Sequence, residues 1–99
     1  MTIEKKLEEG KLTVSPSGRL DTVSTPELEA VLNECLEDAQ ELELDFSGLE
    51  YISSAGLRLL LQSYKKMAAR GGSLTVSNVN ETINDIFAIT GFSDILTVK

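Results

Sequence analysis

The sequence predicts a single α/β domain built on a mixed β-sheet, with helices packed mainly on one face. Short segments in which apolar and polar residues alternate read as strands with one wet face. Longer segments with apolar residues at helical spacing lie between them. Their order makes two strand–helix–strand units, around residues 12–46 and 41–77, which require parallel pairing, and an opening hairpin adds an antiparallel pair. The 99 residues leave room for one core, so residues 1–99 read as one domain burying roughly 60–65% of the unfolded chain's surface.

Ile3, Lys5 and Leu7 alternate with polar neighbours, Glu9-Gly10-Lys11 supplies a turn, and Leu12 and Val14 resume the period of two. Pro16 and Gly18 keep that parity towards Leu20, which makes the second strand irregular and suggests an edge position or a bulge at Pro16. Ser24-Thr25-Pro26-Glu27 opens the first helix with a hydroxyl cap, an early proline and a capping-box glutamate. Leu28, Val31, Leu32, Cys35, Leu36 and Ala39 form its apolar stripe.

Leu42, Leu44 and Phe46 then alternate with Glu41, Glu43 and Asp45 in a strand. Ser47-Gly48-Leu49 and a Ser-Ser-Ala-Gly turn lead into the second helix, whose stripe is Leu57, Leu60, Leu61, Tyr64, Met67 and Ala68. Gly71-Gly72 ends it. Leu74 and Val76 mark another half-buried strand. Asn80 to Thr90 reads as a third helix, with Ile83, Ile86 and Phe87 inward and Gly91 as its stop. Ile95 to Val98 reads as a last short strand.

Composition removes several function classes. A net charge of −7 without histidine argues against nucleic-acid binding, which needs basic surface to displace counterions. It argues equally against an anionic membrane surface. No histidine and one cysteine leave little for a metal site, and no cofactor is expected. Cys35 reads as a small core hydrophobe, and one unpaired thiol fits a reducing compartment. Met-Thr-Ile-Glu-Lys-Lys lacks the long apolar stretch of a signal peptide, and no run approaches the roughly 20 apolar residues of a membrane span. The expected location is the cytoplasm.

The most informative segment is Tyr51-Ile52-Ser53-Ser54-Ala55-Gly56-Leu57-Arg58, where a tight turn runs straight into the second helix. Unpaired amides and the positive dipole end of a helix suit a phosphate. A hydroxyl there is also the ordinary helix cap, and either reading fits Ser53 or Ser54. The Ala55-Gly56 pair keeps the hydroxyls accessible and lets another backbone approach. Asp21 follows one parallel strand and the two serines follow the next, so all three should share the carboxyl edge of the sheet.

The turn and helix closely resemble the phosphorylatable loop of the STAS-domain anti-sigma-factor antagonists. That family's motif reads Asp-Ser-(Ser/Thr)-Gly-Leu, and Ser-Ser-Ala-Gly-Leu-Arg is a common variant. The likeness extends to Gly18-Arg19-Leu20-Asp21, Asp45-Phe46-Ser47, Gly71-Gly72-Ser73-Leu74 and Phe87-Ala88-Ile89-Thr90-Gly91, in order and across almost the whole chain. It implies a STAS domain acting as a partner switch. The unmodified protein would bind an anti-sigma factor that is also an ATP-using serine kinase, and so free a sigma factor. The kinase would phosphorylate the loop serine and dissolve the complex, and a PPM-type phosphatase would reset it.

Counting back from Gly56 places the family's acceptor on Ser54, with Ser53 in the place of the motif's aspartate and as the alternative acceptor, and Ala55 in the place of its second hydroxyl. The resemblance implies that Asp21, Ser53, Ala55 and Gly56 belong to the partner surface. Asp21 reads equally as a turn or capping residue.

Leu59 completes the expected surface. Helical phase puts it opposite the Leu57/Leu60/Leu61/Tyr64 stripe, one turn beyond Ser54, either as an ordinary exposed leucine or as an anchor for the same partner. Enzyme readings fare poorly, since a serine nucleophile needs a base and Gly-x-Ser-x-Gly is absent. The other open reading is a STAS subunit serving a larger assembly, such as a lipid-transport complex, without phosphorylation.

Overall fold

In the computed structural model, residues 1–99 are described apart from the side chain of Leu36, whose expected place in the first apolar stripe lies outside the described residues. Thr2–Glu8 (β1) turns back on Lys11–Leu20 (β2) through Glu9 and Gly10. Both turn residues have positive φ, 49° and 81°, the two-residue geometry whose twist matches that of a hairpin. The pairing runs from Thr2 opposite Ser17 to Glu8 opposite Lys11.

From there β2 becomes the sheet's organising strand. Its first part, Lys11–Val14, runs parallel to Glu41–Asp45 (β3), and its last part, Gly18–Leu20, runs parallel to Leu49–Ile52 (β4). β3 pairs in parallel with Ser73–Ser77 (β5), and β5 with Thr97–Val98 (β6). The order is β1-β2-β3-β5-β6, with β4 beside the far half of β2.

Pro16 is therefore not at an edge. It falls between the stretches of β2 that serve β3 and β4, where a missing N–H interrupts neither ladder, and the irregularity itself is a register shift at Gly18/Arg19. The strand β4 was not expected. Its four residues, Leu-Glu-Tyr-Ile, are too few to display a period.

The helices are Thr25–Cys35 (α1), Ser54–Ala69 (α2), Glu81–Thr90 (α3) and the single turn Phe92–Ile95 (α4). Leu28 and Leu32 of α1, Leu60 and Met67 of α2, and Ile83 and Phe87 of α3 join Leu12, Val14, Leu42, Leu44, Leu74 and Val76 of the strands in one core. The alternate strand residues, among them Thr13, Glu43 and Thr75, are only half-buried, so one face of the sheet stays wet as its period of two predicts.

Local signals locate α3 well. Asn80 caps it by accepting from the Ile83 amide at 2.8 Å, and Gly91 stops it at φ 83°. Elsewhere tertiary packing decides. α1 gives way at Leu36–Asp38 to a short 3₁₀ turn, and Ala39 enters the core as a connector rather than as part of a helical stripe. Ile95, expected in the last strand, lies in α4, where Phe92 stacks on Phe87 with ring centroids 6.3 Å apart.

Leu59 is the main correction. It is 5% exposed and part of the core, while Leu61, placed in the stripe, is half-buried and Ala68 is exposed. The cause is coverage on two sides: α2 packs against both the sheet and α1, so its buried arc runs through Gly56, Leu59, Leu60, Ser63 and Met67. Ser63 fits there because its hydroxyl donates to the Leu59 carbonyl at 2.9 Å.

Candidate functional site

The carboxyl ends of β2 and β4 lie side by side, with Leu20 opposite Ile52. The Ser53 amide extends that ladder by donating to the Leu20 carbonyl at 2.8 Å. Two connections leave this edge together: the Asp21–Ser24 turn into α1, and Ser53 into α2. The expected meeting of Asp21 with the two serines at one edge is thus realised, through β4 rather than directly from β3.

Asp21 shapes its own turn. Its Oδ1 accepts from the amides of Val23 and Ser24, both at 3.0 Å, and lies 3.1 Å from the Ser24 hydroxyl. The Ser24 and Val23 amides, the Ser24 hydroxyl and the nearby Arg19 guanidinium hold the Asp21 carboxyl below the usual aspartate range, the Ser24 contacts dominating. The hydroxyl of Ser24, expected to cap α1, instead donates back to the Arg19 carbonyl at 2.6 Å and accepts from the Asp21 amide at 3.0 Å. Thr25 adds a hydroxyl bond to the Asp21 carbonyl at 2.6 Å. The turn is therefore braced both from β2, through Arg19, and from α1, through Thr25. Val23, 86% exposed, stands at its tip.

The two serines differ in their surroundings. Ser53 is the N-cap of α2, with extended backbone, and its Oγ accepts from the Gly56 amide at a long 3.4 Å. Ser54 is the first helical residue. Its side chain is exposed, and its hydroxyl makes no hydrogen bond among the described residues. Arg58 lies one turn further along the same helix face and is also exposed. Ala55 is half-buried and borders a shallow groove between the starts of α1 and α2, lined also by Thr22, Thr25, Arg58 and Gln62.

Gly56 explains why α2 can start so close to the sheet. A Cβ there would meet Ile52 Cγ1 at 2.7 Å and Leu20 Cδ2 at 2.9 Å. Below it, Arg19 lies over the Tyr51 ring at 4.7 Å, across the β2–β4 pair. Val23 and the Arg19–Tyr51 contact are not among the residues the sequence singles out for the site, although Val23 carries a signal as an apolar residue inside a polar turn.

This arrangement offers an accessible primary hydroxyl at a helix N-terminus, and no side chain of the described residues hydrogen-bonds it. Asp21 spends its Oδ1 on its own turn. Among the described residues no three histidine, cysteine, aspartate or glutamate side chains cluster as metal ligands, and no helix is long and apolar enough to cross a membrane. The chemistry available is that of a phosphoryl acceptor or a docking surface.

An anti-sigma-B factor antagonist of Bacillus subtilis is 29% identical over 99 residues, covering 100% of this chain and 91% of that protein. The solved structure of an anti-sigma factor antagonist from Mycobacterium paratuberculosis superposes with a TM-score of 0.87 at 26% identity, covering 98% of this chain and 83% of the other. That of the Bacillus cell fate determinant SpoIIAA in its phosphorylated form shares the fold, with a TM-score of 0.78 at 16% identity and coverage of 99% and 91%. The family model of the STAS domain matches residues 2–99, and the chain belongs to the STAS domain family.

Proposed function

We propose that this protein is an anti-sigma-factor antagonist, a non-enzymatic cytoplasmic switch that phosphorylation of Ser54 turns off. In the unmodified state it binds an anti-sigma factor that is also a serine kinase, and so releases a sigma factor. The kinase moves the γ-phosphoryl group of ATP to Ser54 Oγ, ADP leaves with the displaced bond, and the hydroxyl proton goes to the kinase's base. A PPM-type phosphatase hydrolyses the ester and restores the hydroxyl.

One observation carries the choice of residue: the Ser54 hydroxyl is exposed and unbonded among the described residues, whereas Ser53 is occupied as the cap. The partner surface on this reading comprises Asp21, Ser53, Ala55 and Gly56 through the shape they give the edge, with Val23 supplying the apolar contact that Leu59, now in the core, does not.

The switch works at the interface. Phosphoserine adds about −1.5 to −2 charges. At a helix N-terminus that charge meets a favourable dipole worth roughly 0.3–1 kcal/mol, with Arg58 on the same face. The net charge of −7 opposes it weakly, since salt screens beyond about 8–10 Å. The fold therefore persists. Against a partner the same phosphate loses hydration, which can cost several kcal/mol, and about 5.5 kcal/mol of differential binding reverses a 99:1 preference.

The test is incubation with the candidate kinase and ATP, followed by mass spectrometry. Phosphate on Ser54, abolished in a Ser54→Ala variant that still binds the kinase, is expected. Undiminished labelling of that variant with phosphate on Ser53 moves the site. Neither binding nor labelling would favour a structural subunit of a larger assembly.

A further inference from the structure

We infer that β1 is a self-recognition edge, through which two copies of this chain pair antiparallel about a two-fold axis at Lys5. β1 has one neighbour, β2, and its other edge is open. All its residues but Ile3 are exposed, including Leu7 at 47%. Among the described residues no proline, bulge or covering segment protects that edge; its only device against stray pairing is its charged side chains, Glu4, Lys5, Lys6 and Glu8.

Which backbone groups point outward follows from the hairpin. Around the two-residue turn at Glu9-Gly10 the closing pair, Glu8 and Lys11, is hydrogen-bonded, and pairs then alternate. Thr2, Glu4, Lys6 and Glu8 bond inward to β2, so Ile3, Lys5 and Leu7 present their N–H and C=O groups outward. Pro16 checks this independently: it faces Ile3 and has no N–H to give, so that pair must be of the unbonded kind.

A symmetric antiparallel pair with Lys5 on the axis sets Ile3 against Leu7, Thr2 against Glu8 and Glu4 against Lys6. The hydrogen-bonding positions are then the three residues whose groups point outward. The Glu4–Lys6 pairs fall at unbonded positions, where side chains lie closest, and bring opposite charges together twice. Ile3 and Leu7 cover one another on the helix side. Sliding by two residues is worse in either direction: one slip opposes Glu4 to Glu4, the other Lys6 to Lys6.

The one like-charge contact, Lys5 on Lys5, is moderated because each ammonium already has Glu34 at 3.8 Å. The strand carries two lysines and two glutamates, so it is locally neutral on a chain of net charge −7. Its lysines discourage foreign strands, while the self-register adds Glu4 of the other copy to Lys6, whose ammonium already lies 3.2 Å from Glu8 of its own chain. Since β3 and β4 lie on the other side of β2, this contact leaves the Ser54 edge uncovered, and the inference is independent of the phosphorylation reading.

Sedimentation of the full chain at about 10 to 500 µM in about 0.15 M salt, where charges are screened beyond about 8 Å, tests it. A reversible dimer is expected. Glu4→Lys and Lys6→Glu should each weaken it about tenfold or more, with unchanged thermal melts showing the fold intact. An equimolar mixture of the two variants should restore association, because both pairs between positions 4 and 6 again join opposite charges. A wild-type monomer throughout the range, a dimer indifferent to both substitutions, or a mixture no tighter than its components would overturn the inference.

Discussion

Replacing Gly56 with alanine tests how α2 is seated on the sheet. The added methyl would lie 2.7 Å from Ile52 Cγ1 and 2.9 and 3.0 Å from Leu20 Cδ2 and Cγ, where ordinary carbon contacts are about 3.5–4.0 Å. Both neighbours are fully buried, so neither side chain has open space to swing into. The first turn of α2 must lift, carrying Ser53 and Ser54 with it. Overpacking of this kind costs about 1–3 kcal/mol. Alanine regains up to about 0.8–1.0 kcal/mol of helix propensity in a helix interior, and less in a first turn. The net expectation is a loss of about 1–2 kcal/mol. With a urea m-value of about 1 kcal/mol/M for a domain this small, the unfolding midpoint should fall by about 1–2 M at unchanged slope. Urea unfolding followed by circular dichroism reads this directly. A midpoint equal to or above that of the unsubstituted protein would show that the helix start has slack and refute the reasoning.

Leu59→Ala should cost about 2–4 kcal/mol, and Leu59→Arg should cost more or prevent folding, since the site between α1, α2 and the sheet admits no charge; thermal melts within about ±0.5 kcal/mol of the parent would return Leu59 to the surface. Stability should be level from about pH 5.5 to 7.5, because there is no histidine to titrate, and fall in acid. Glu43 is held low by the Ser77 hydroxyl and then by Lys11, and Asp45 by the Asn78 amide and then the Ser47 N–H, as Asp21 is by Ser24. A lowered folded value means the unfolded chain takes up protons first. The stabilisation is therefore full above the ordinary values of 4.5 for glutamate and 3.8 for aspartate, and is lost as pH drops through the lower folded ones. A fall in melting temperature beginning near pH 6 would contradict this assignment.

Where signals are local, the sequence was sufficient. The Glu9-Gly10 hairpin, the Asn80 cap and Gly91 stop of α3, and the alternation in β3 and β5 each depend on a handful of adjacent residues. Where a residue answers to more than one neighbour, the sequence misled. Helical phase with a single buried stripe puts Leu59 in solvent, and the second layer of cover from α1 widens that stripe by a full flank. β4 leaves no sequence signal because it is short and runs without a break into the serine turn. At the site, the shared edge of Asp21 and the serines is legible from the parallel strand–helix–strand pattern, while the strand that carries the serines there, β4, is not. Telling the cap from the free hydroxyl required coordinates, because Ser53 and Ser54 are chemically identical and differ only in which one faces the Gly56 amide.

The contact between Ser53 and the Leu20 carbonyl also has a temporal meaning. Leu20 and Ile52 are more than thirty positions apart, so this edge closes only after a long loop has been ordered, late relative to the β1–β2 hairpin. Until then the hydroxyl-bearing turn has no support on one side and α2 no seat. A nascent or damaged chain would display the same serines in a peptide of the wrong shape, so an enzyme that reads the finished edge would ignore it. On the proposal that Ser54 is phosphorylated, the acceptor would double as a certificate of completed folding.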